Sequence, residues 1–303
     1  MMCSGKHIYS MRRRIVELAA LCPIACGCVF LLHSSVSESP APPQIVLPNK
    51  ATSVRFAAIG DMGTGERAQY DTAREMELAH EKFKFDFAVM LGDNIYGGKT
   101  QKDFKRKFED VYQPLMDAGV KFYAALGNHD DPNERYYKPF NMNGKRYYKL
   151  SFSGTELYAL DSTYMDGPQL DWLAKELSTS SATWKICFFH HPLYSDARFH
   201  GPDIDLRTRL EPILQKYGVR VVLSGHEHVY ERINPHGGIF YFVSGSGGEL
   251  RRHDLRPSPD TAKGFDEDQS FMLIEIDGDE FHFQTISRLG NTVDSGVIHR
   301  PGA

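Results

Sequence analysis

The sequence predicts an α/β fold, and two patterns carry that prediction. Short apolar runs alternate with amphipathic helical stretches through much of the chain, while other apolar runs are joined only by short turns. Strand–helix alternation builds a parallel sheet covered by helices, whereas turn-linked strands pair antiparallel, so a second sheet with antiparallel pairing is expected. A length of 303 residues, with 41% hydrophobic and 24% charged positions, excludes a disordered chain, a collagen-like repeat and a many-span membrane protein. It leaves one or two domains open. Thirty-five Lys and Arg against 39 Asp and Glu give a net charge of -4, so no global attraction to nucleic acid or an anionic membrane exists. Any affinity for an anion must be local. The compositional oddity is 13 histidines.

Residues 1–45 read as an export signal or an N-terminal membrane anchor. Arg12, Arg13 and Arg14 precede an apolar run over 15–32, and a Ser/Pro/Ala spacer over 34–43 follows, which is the order of an export signal. The run approaches the length of a tilted membrane span, but Glu17 and Pro23 weaken one. Four of the five cysteines (Cys3, Cys22, Cys26, Cys28) fall here, which leaves Cys187 and no disulfide framework for the body. Cys26 follows small residues as a lipid attachment site does, although Pro23 fits poorly, and the adjacent arginines are similar to a twin-arginine address. The expected location is extracytoplasmic, secreted or periplasmic, with membrane contact only through a retained anchor or lipid.

In the body, Val54–Ile59, Phe87–Leu91, 122–126, 186–190 and 219–224 are runs of Val, Ile, Phe and Tyr continuous enough for strands buried on both faces. Helical periodicity covers 66–83, 102–116, 169–177 and 206–217. Residues 147–152, 157–161, Ile239–Ser244, 271–276 and 281–286 are the strands assigned to antiparallel pairing, with Asp277-Gly278-Asp279 turning between the last two. No repeat, low-complexity tract or Pro/Gly linker divides the body, which therefore reads as one domain over residues 50–303.

The residues that follow the five buried strands carry the chemistry. Ile59 leads into Gly60-Asp61-Met62-Gly63, Leu91 into Gly92-Asp93-Asn94-Ile95-Tyr96, and Leu126 into Gly127-Asn128-His129-Asp130. Phe189 leads into His190-His191-Pro192, and Ser224 into Gly225-His226-Glu227-His228. A lone Gly-Asp after a strand is usually a turn. Turn chemistry does not ask for histidine at two of five endings, and ligands in open α/β sheets bind outside the carboxyl ends of the strands. Asp61, Asp93, Tyr96, Asn128, His190, His226 and His228 make seven donors, too many for one tetrahedral ion and suited to two ions sharing a carboxylate, roughly 3.5–4 Å apart. The absence of thiolate from the set argues against a structural zinc site, an iron–sulfur cluster or a haem.

The ordered set Asp61-x-Gly63, Gly92-Asp93-x-x-Tyr96, Gly127-Asn128-His129-Asp130, His190 and Gly225-His226-x-His228 resembles the calcineurin-like metallophosphoesterases, and among them the purple acid phosphatases. Gly63 stands where the wider superfamily has histidine, and Tyr96 is the purple-acid-phosphatase feature. The resemblance implies a four-layer α/β/β/α sandwich of two mixed β-sheets. It implies a ferric ion on Asp61, Asp93, Tyr96 and His228, and a divalent ion (Fe2+, Zn2+ or Mn2+) on Asp93, Asn128, His190 and His226. Two carboxylates and a phenolate suit a trivalent ion, and imidazoles with an amide a divalent one. The implied activity is acid hydrolysis of phosphate monoesters, on small esters or phosphoproteins, with a metal-bound hydroxide as nucleophile. His129 and His200, the latter in Phe199-His200-Gly201-Pro202, are implied to bind phosphate or protonate the leaving alkoxide. A phosphodiesterase or nucleotidase, and a non-catalytic iron- or phosphate-binding protein, stand as alternatives.

Three smaller expectations remain. His191 is at most a neighbour of the ligands, and His236, His253, His282 and His299 are ordinary surface or strand residues. Tyr136-Tyr137 and Tyr147-Tyr148 either line the pocket or pack strands. Ala73-Arg74-Glu75-Met76 is similar to the small mammalian-type enzymes, whose long loop before the next helix is here only residues 162–169, leaving the site open.

Overall fold

The computed structural model describes residues 42–300; the leader up to residue 41, with the basic, apolar and cysteine features read there, lies outside the described residues. Among the described residues thirteen strands form two sheets. The first runs β13-β12-β11-β1-β2-β3, from β1 (Val54–Ile59), β2 (Phe87–Leu91), β3 (Lys121–Ala125), β11 (Ser270–Asp277), β12 (Glu280–Ser287) and β13 (Thr292–His299). The second runs β10-β8-β9-β7-β6-β5-β4, from β4 (Tyr148–Phe152), β5 (Thr155–Ala159), β6 (Trp184–Phe188), β7 (Val221–Ser224), β8 (Tyr230–His236), β9 (Ile239–Ser244) and β10 (Thr261–Phe265).

Both sheets are mixed. β1, β2 and β3 are parallel, and β11, β12 and β13 extend that sheet antiparallel from β1. β5, β6, β7 and β9 are parallel, with β4 and β8 antiparallel at the flanks. The two mixed β-sheets that the resemblance implies are present, with the antiparallel pairing expected of a second sheet shared between both. The five ligand-bearing strands divide three to two between the sheets, and the turn-linked strands are likewise shared.

Period-2 alternation explains the continuous apolar runs. In β6, Trp184, Ile186 and Phe188 face the other sheet, while Cys187 and the following Phe189 face the helices. Between the sheets, Phe87 stacks on Phe152 at 4.4 Å between ring centroids, and Phe242 meets Phe283 edge-on at 5.0 Å. Outside the second sheet, α4 (Gly167–Thr179) and α5 (Ile204–Lys216) bury Leu173, Leu177, Leu206, Leu210 and Leu214. Asp166 and Asp203 cap these helices by accepting from the Gln169 and Leu206 amides, both at 2.9 Å. Outside the first sheet lie α1 (Arg67–Lys82), α2 (Gln101–Phe104) and α3 (Asp110–Asp117). The layers are therefore α/β/β/α. The helix expected over 102–116 is interrupted by a π-helical turn, Lys105–Glu109.

Candidate metal centre

The carboxyl ends of both sets of parallel strands meet along one edge, and backbone bonds tie them together. The Gly60 amide donates to the Ser244 carbonyl at 2.8 Å, Asp61 to Gly92 at 3.0 Å, and Gly225 to His190 at 3.0 Å. Asp61, Asp93 and His226 sit in the left-handed region, with φ of 54°, 52° and 71°. Left-handed backbone costs a non-glycine residue on the order of 1–2 kcal/mol and concentrates at functional sites. Three of the seven predicted ligands occupy it. Gly92 has φ +90°, and a Cβ there would fall 2.6 Å from His190 Nδ1. A Cβ on Gly127 would fall 2.2 Å from Asp93 Oδ1, so the loops close this tightly only because both positions lack a side chain.

All seven predicted donors fall in this edge, in two groups. The Tyr96 hydroxyl donates to Asp61 Oδ1 at 3.1 Å and lies 3.2 Å from His228 Nε2, with His228 Nε2 3.4 Å from Asp61 Oδ1. On the other side, His190 Nε2 lies 2.9 Å from Asn128 Oδ1, 3.1 Å from His226 Nδ1 and 3.5 Å from Asp93 Oδ2. Asp93 also accepts from the His129 amide at 2.9 Å, and Asp61 from the His226 amide at 2.8 Å.

The donor set fits bound cations. His190 Nδ1 is 2.9 Å from the Leu91 carbonyl, an acceptor only, so that nitrogen carries the proton and Nε2 points its lone pair at Asn128, His226 and Asp93. Burial, reinforced by the Asp93 carboxylate, pushes the Asp61 carboxyl well above its ordinary range, and burial followed by Asp61 pushes the Tyr96 phenol up. Burial holds His190 well below its ordinary value, lowers His226, and brings His228 down to about 4. Imidazoles kept neutral are in their ligand form, and a cation is what favours ionised oxygen donors in such a pocket.

Beyond the predicted set, the structure adds His191, whose ring lies 4.4 Å from that of His226 and whose nitrogen falls with those of His190 and His226 in one potential ligand trio. Its Nδ1 lies 2.9 Å from Ser162 Oγ. His191 thus belongs to the cluster itself, nearer than the sequence expectation placed it. A sixth loop also reaches the centre. After β9, the Gly248 and Glu249 amides donate to the Asp61 carbonyl at 3.2 and 3.0 Å. The signal for it was present as Gly245-Ser246-Gly247-Gly248 directly after an apolar strand.

The two predicted proton donors sit at the mouth. His129 is exposed, its ring 5.0 Å from Tyr96. His200 stacks on His226 at 4.2 Å and 22°. Beneath it, buried Glu227 accepts from the Gly201 amide at 2.5 Å and lies 3.7 Å from His200 Nδ1; burial pushes its carboxyl up to about 7. Asp130 joins two of the loops by accepting from the Gly127 amide at 2.8 Å, the Asn94 amide at 2.8 Å and the Asn94 side chain at 2.7 Å. Tyr136, Tyr147 and Tyr148 line another cavity, of about 730 Å³, with Trp172, and Tyr148 lies in β4; of the two readings left open for these tyrosines, lining the metal pocket is the one the structure does not take.

A family model described as calcineurin-like phosphoesterase matches residues 54–230, more than half of the sequence. The chain belongs to the calcineurin-like phosphoesterase family. Among relatives of this phosphoesterase, tartrate-resistant acid phosphatase type 5 of Rattus norvegicus is 30% identical over 240 residues, covering 65% of this chain and 73% of that one. Purple acid phosphatase 7 of Arabidopsis thaliana is 26% identical over 311 residues, covering 90% and 92%. Two solved structures share the fold. GAP50, described as the anchor in the inner membrane complex of Plasmodium, aligns with a TM-score of 0.72 at 19% identity over 82% of this chain and 89% of that one. The purple acid phosphatase of yellow lupin (Lupinus luteus) seeds aligns at 0.66 and 19%, over 84% and 55%. The resemblance to purple acid phosphatases therefore extends from the motifs to the fold, and the chain is a metal-binding phosphoesterase with acid phosphatases among its relatives.

Proposed function

We propose that this phosphoesterase is an exported acid phosphatase of the purple type, hydrolysing phosphate monoesters with two metal ions in one catalytic domain spanning residues 50–303. The observation that carries the reading is the division of donors around Asp93. Asp61, Tyr96 and His228 lie on one side, and Asn128, His190 and His226 on the other. A ferric ion on Asp61, Asp93, Tyr96 and His228 and a divalent ion (Fe2+, Zn2+ or Mn2+) on Asp93, Asn128, His190 and His226 match the donor charges. When bound, such a pair supplies Lewis-acid charge on the phosphoryl group and lowers the pKa of water.

The chain's own residues supply the rest. His129, exposed beside Tyr96, and His200, stacked on His226, face incoming phosphate from two sides, where either ring N–H can donate to a phosphoryl oxygen or protonate the leaving alkoxide. Glu227 fixes the loop that carries His200. Only residues 160–166 connect β5 to α4, which leaves the mouth open to small esters or phosphoproteins. Export rests on the Arg12–Arg14 and apolar pattern of residues 1–45; among the described residues no helix is long and apolar enough to cross a membrane.

The test combines metal analysis of purified protein with pH–rate profiles on an aryl phosphate monoester and a bis-aryl diester. The expected result is iron plus a divalent ion, a faster monoester, and an acidic optimum. Tyr96→Phe should lose the visible absorption of a ferric phenolate. A faster diester, or iron-free colourless protein, overturns the assignment.

A further inference from the structure

Arg251 lies just beyond the predicted ligands and has no place in the scheme above. It follows the glycine-rich loop after β9, and its amide donates to the His228 carbonyl at 3.0 Å. Its side chain folds back over Phe199, with the guanidinium carbon 3.4 Å from the ring centroid. One edge nitrogen, Nη1, lies 3.5 Å from His200 Nδ1. His200 in turn stacks on His226, so Arg251, His200 and His226 are successive neighbours leading into the metal centre.

Several arginines of the fold are committed to carboxylates, Arg232 to Asp294 at 2.7 Å, Arg288 to Asp268 at 2.8 Å and Arg146 to Asp161 at 3.0 Å, while Arg207 and Arg256 instead reach the backbone carbonyls of Leu193 and Arg198. Even Arg252, next in sequence, meets Glu267 at 4.0 Å. Among the described residues no carboxylate pairs with Arg251. A guanidinium whose face is covered by an aromatic ring keeps its in-plane N–H donors for a planar or tetrahedral oxyanion. Phe199 is 63% exposed, so stacking holds the cation at the rim without dehydrating its edge.

We propose that Arg251 is a specificity-determining residue that selects phosphate esters whose leaving group carries a second oxyanion close to the scissile oxygen. The inference rests on the phosphatase reading. His200 stands between Arg251 and His226, which sets the guanidinium one side chain away from the ligand cluster. That is the place of a leaving-group substituent rather than of the phosphoryl group being transferred. In a chain of net charge -4, one unpaired cation at the rim is a local attraction that the global charge does not supply.

The experiment compares glycerol 3-phosphate, 3-phosphoglycerate and pyrophosphate on the full-length, metal-replete protein; the last two separate a carboxylate from a phosphate as the second anion. At least one of them should exceed glycerol 3-phosphate in kcat/KM by roughly 10- to 100-fold, mostly through KM, as charge-assisted pairing allows. Arg251→Met should shrink that preference to within about threefold, and Arg251→Lys should keep part of it, since charge survives without the planar fork. Melting temperature and metal content are measured alongside to separate misfolding from lost recognition. A wild-type measurement needs no variant: glycerate should inhibit aryl phosphate hydrolysis at least tenfold more strongly than glycerol, which has no anion to place on Arg251. An unchanged preference in Arg251→Met, an equal fall for all three substrates, or equal inhibition by glycerate and glycerol overturns the proposal. Failure to hydrolyse even aryl phosphate is the distinct result that overturns the phosphatase reading beneath it.

Discussion

At the scale of single residues, the centre depends as much on missing side chains as on donors. Gly92 holds φ +90° directly against the ring of His190, so Gly92→Ala meets both a forbidden backbone region and a 2.6 Å contact with Nδ1. Backbone strain of about 1–3 kcal/mol and displacement of His190 from the Leu91 carbonyl follow together. Gly92→Ala should therefore lower metal content per chain as well as the melting temperature, read by elemental analysis and a thermal melt; parental metal content at a lowered melting temperature would sink the positional argument. The seven candidate donors that the structure gathers at one edge could be read in the sequence, because each follows the end of an apolar strand and four loops announce themselves with glycine before the donor. His191 was not. Its ring reaches the cluster through Ser162, on the loop after a strand that carries no ligand, and sequence adjacency to His190 says nothing about which way a side chain turns.

At the scale of elements, helix α1 carries a titratable group that the metal centre does not use. Glu75 is fully buried, neither carboxyl oxygen has a hydrogen-bond partner among the described residues, and burial pushes its pKa up to about 7. Because the folded value is raised, its contribution to stability is complete below the unfolded value near 4.5 and is lost as pH rises through about 7. Glu75→Gln should thus gain about 1–3 kcal/mol on the parent between pH 5 and pH 8. Melts across that range check it, and a pH-independent difference would count against a buried, raised carboxyl. The π-helical turn between α2 and α3 has its own reason. It turns Lys107 inward to the Tyr96 carbonyl and leaves the Lys107 carbonyl to accept from Gln69 Nε2 at 2.7 Å. Lys107→Met should loosen the Tyr96 loop and weaken any ferric-phenolate absorption by a measurable fraction while α1 stays folded; unchanged absorption would show the lysine to be dispensable. Helical periodicity located this segment but could not reveal an inserted residue. Three strands also escaped the sequence. In β8, Glu231 and Arg232 break the apolar pattern: Glu231 accepts hydrogen bonds from the Ser195 and Thr261 hydroxyls, and Arg232 pairs with Asp294. The edge strands β10 and β13 carry exposed polar residues that read as loop.

At the scale of the whole molecule, the division into sheets was hidden because sequence order does not say which neighbour a strand pairs with. β1 pairs with β11, more than 200 positions away, as well as with β2. The consequence is energetic. Asp61, Asp93, Tyr96 and Asn128 follow strands of the first sheet, and His190, His226 and His228 follow strands of the second. A cation held by both groups links the two sheets at their shared edge, and since the donors converge only in the folded chain, its binding free energy adds to folding stability. At a free metal concentration a thousandfold above the dissociation constant, one site contributes about 4 kcal/mol. For a chain of this size each kcal/mol is worth roughly 2–4 °C in melting temperature, so stripping two such ions should lower the transition by roughly 15–30 °C. The transition should also stay single, because both sheets lose the same link. A scanning calorimetry trace before and after chelation, with metal restored as the control, decides it: an unmoved transition would show that the folded chain gains nothing from the ions.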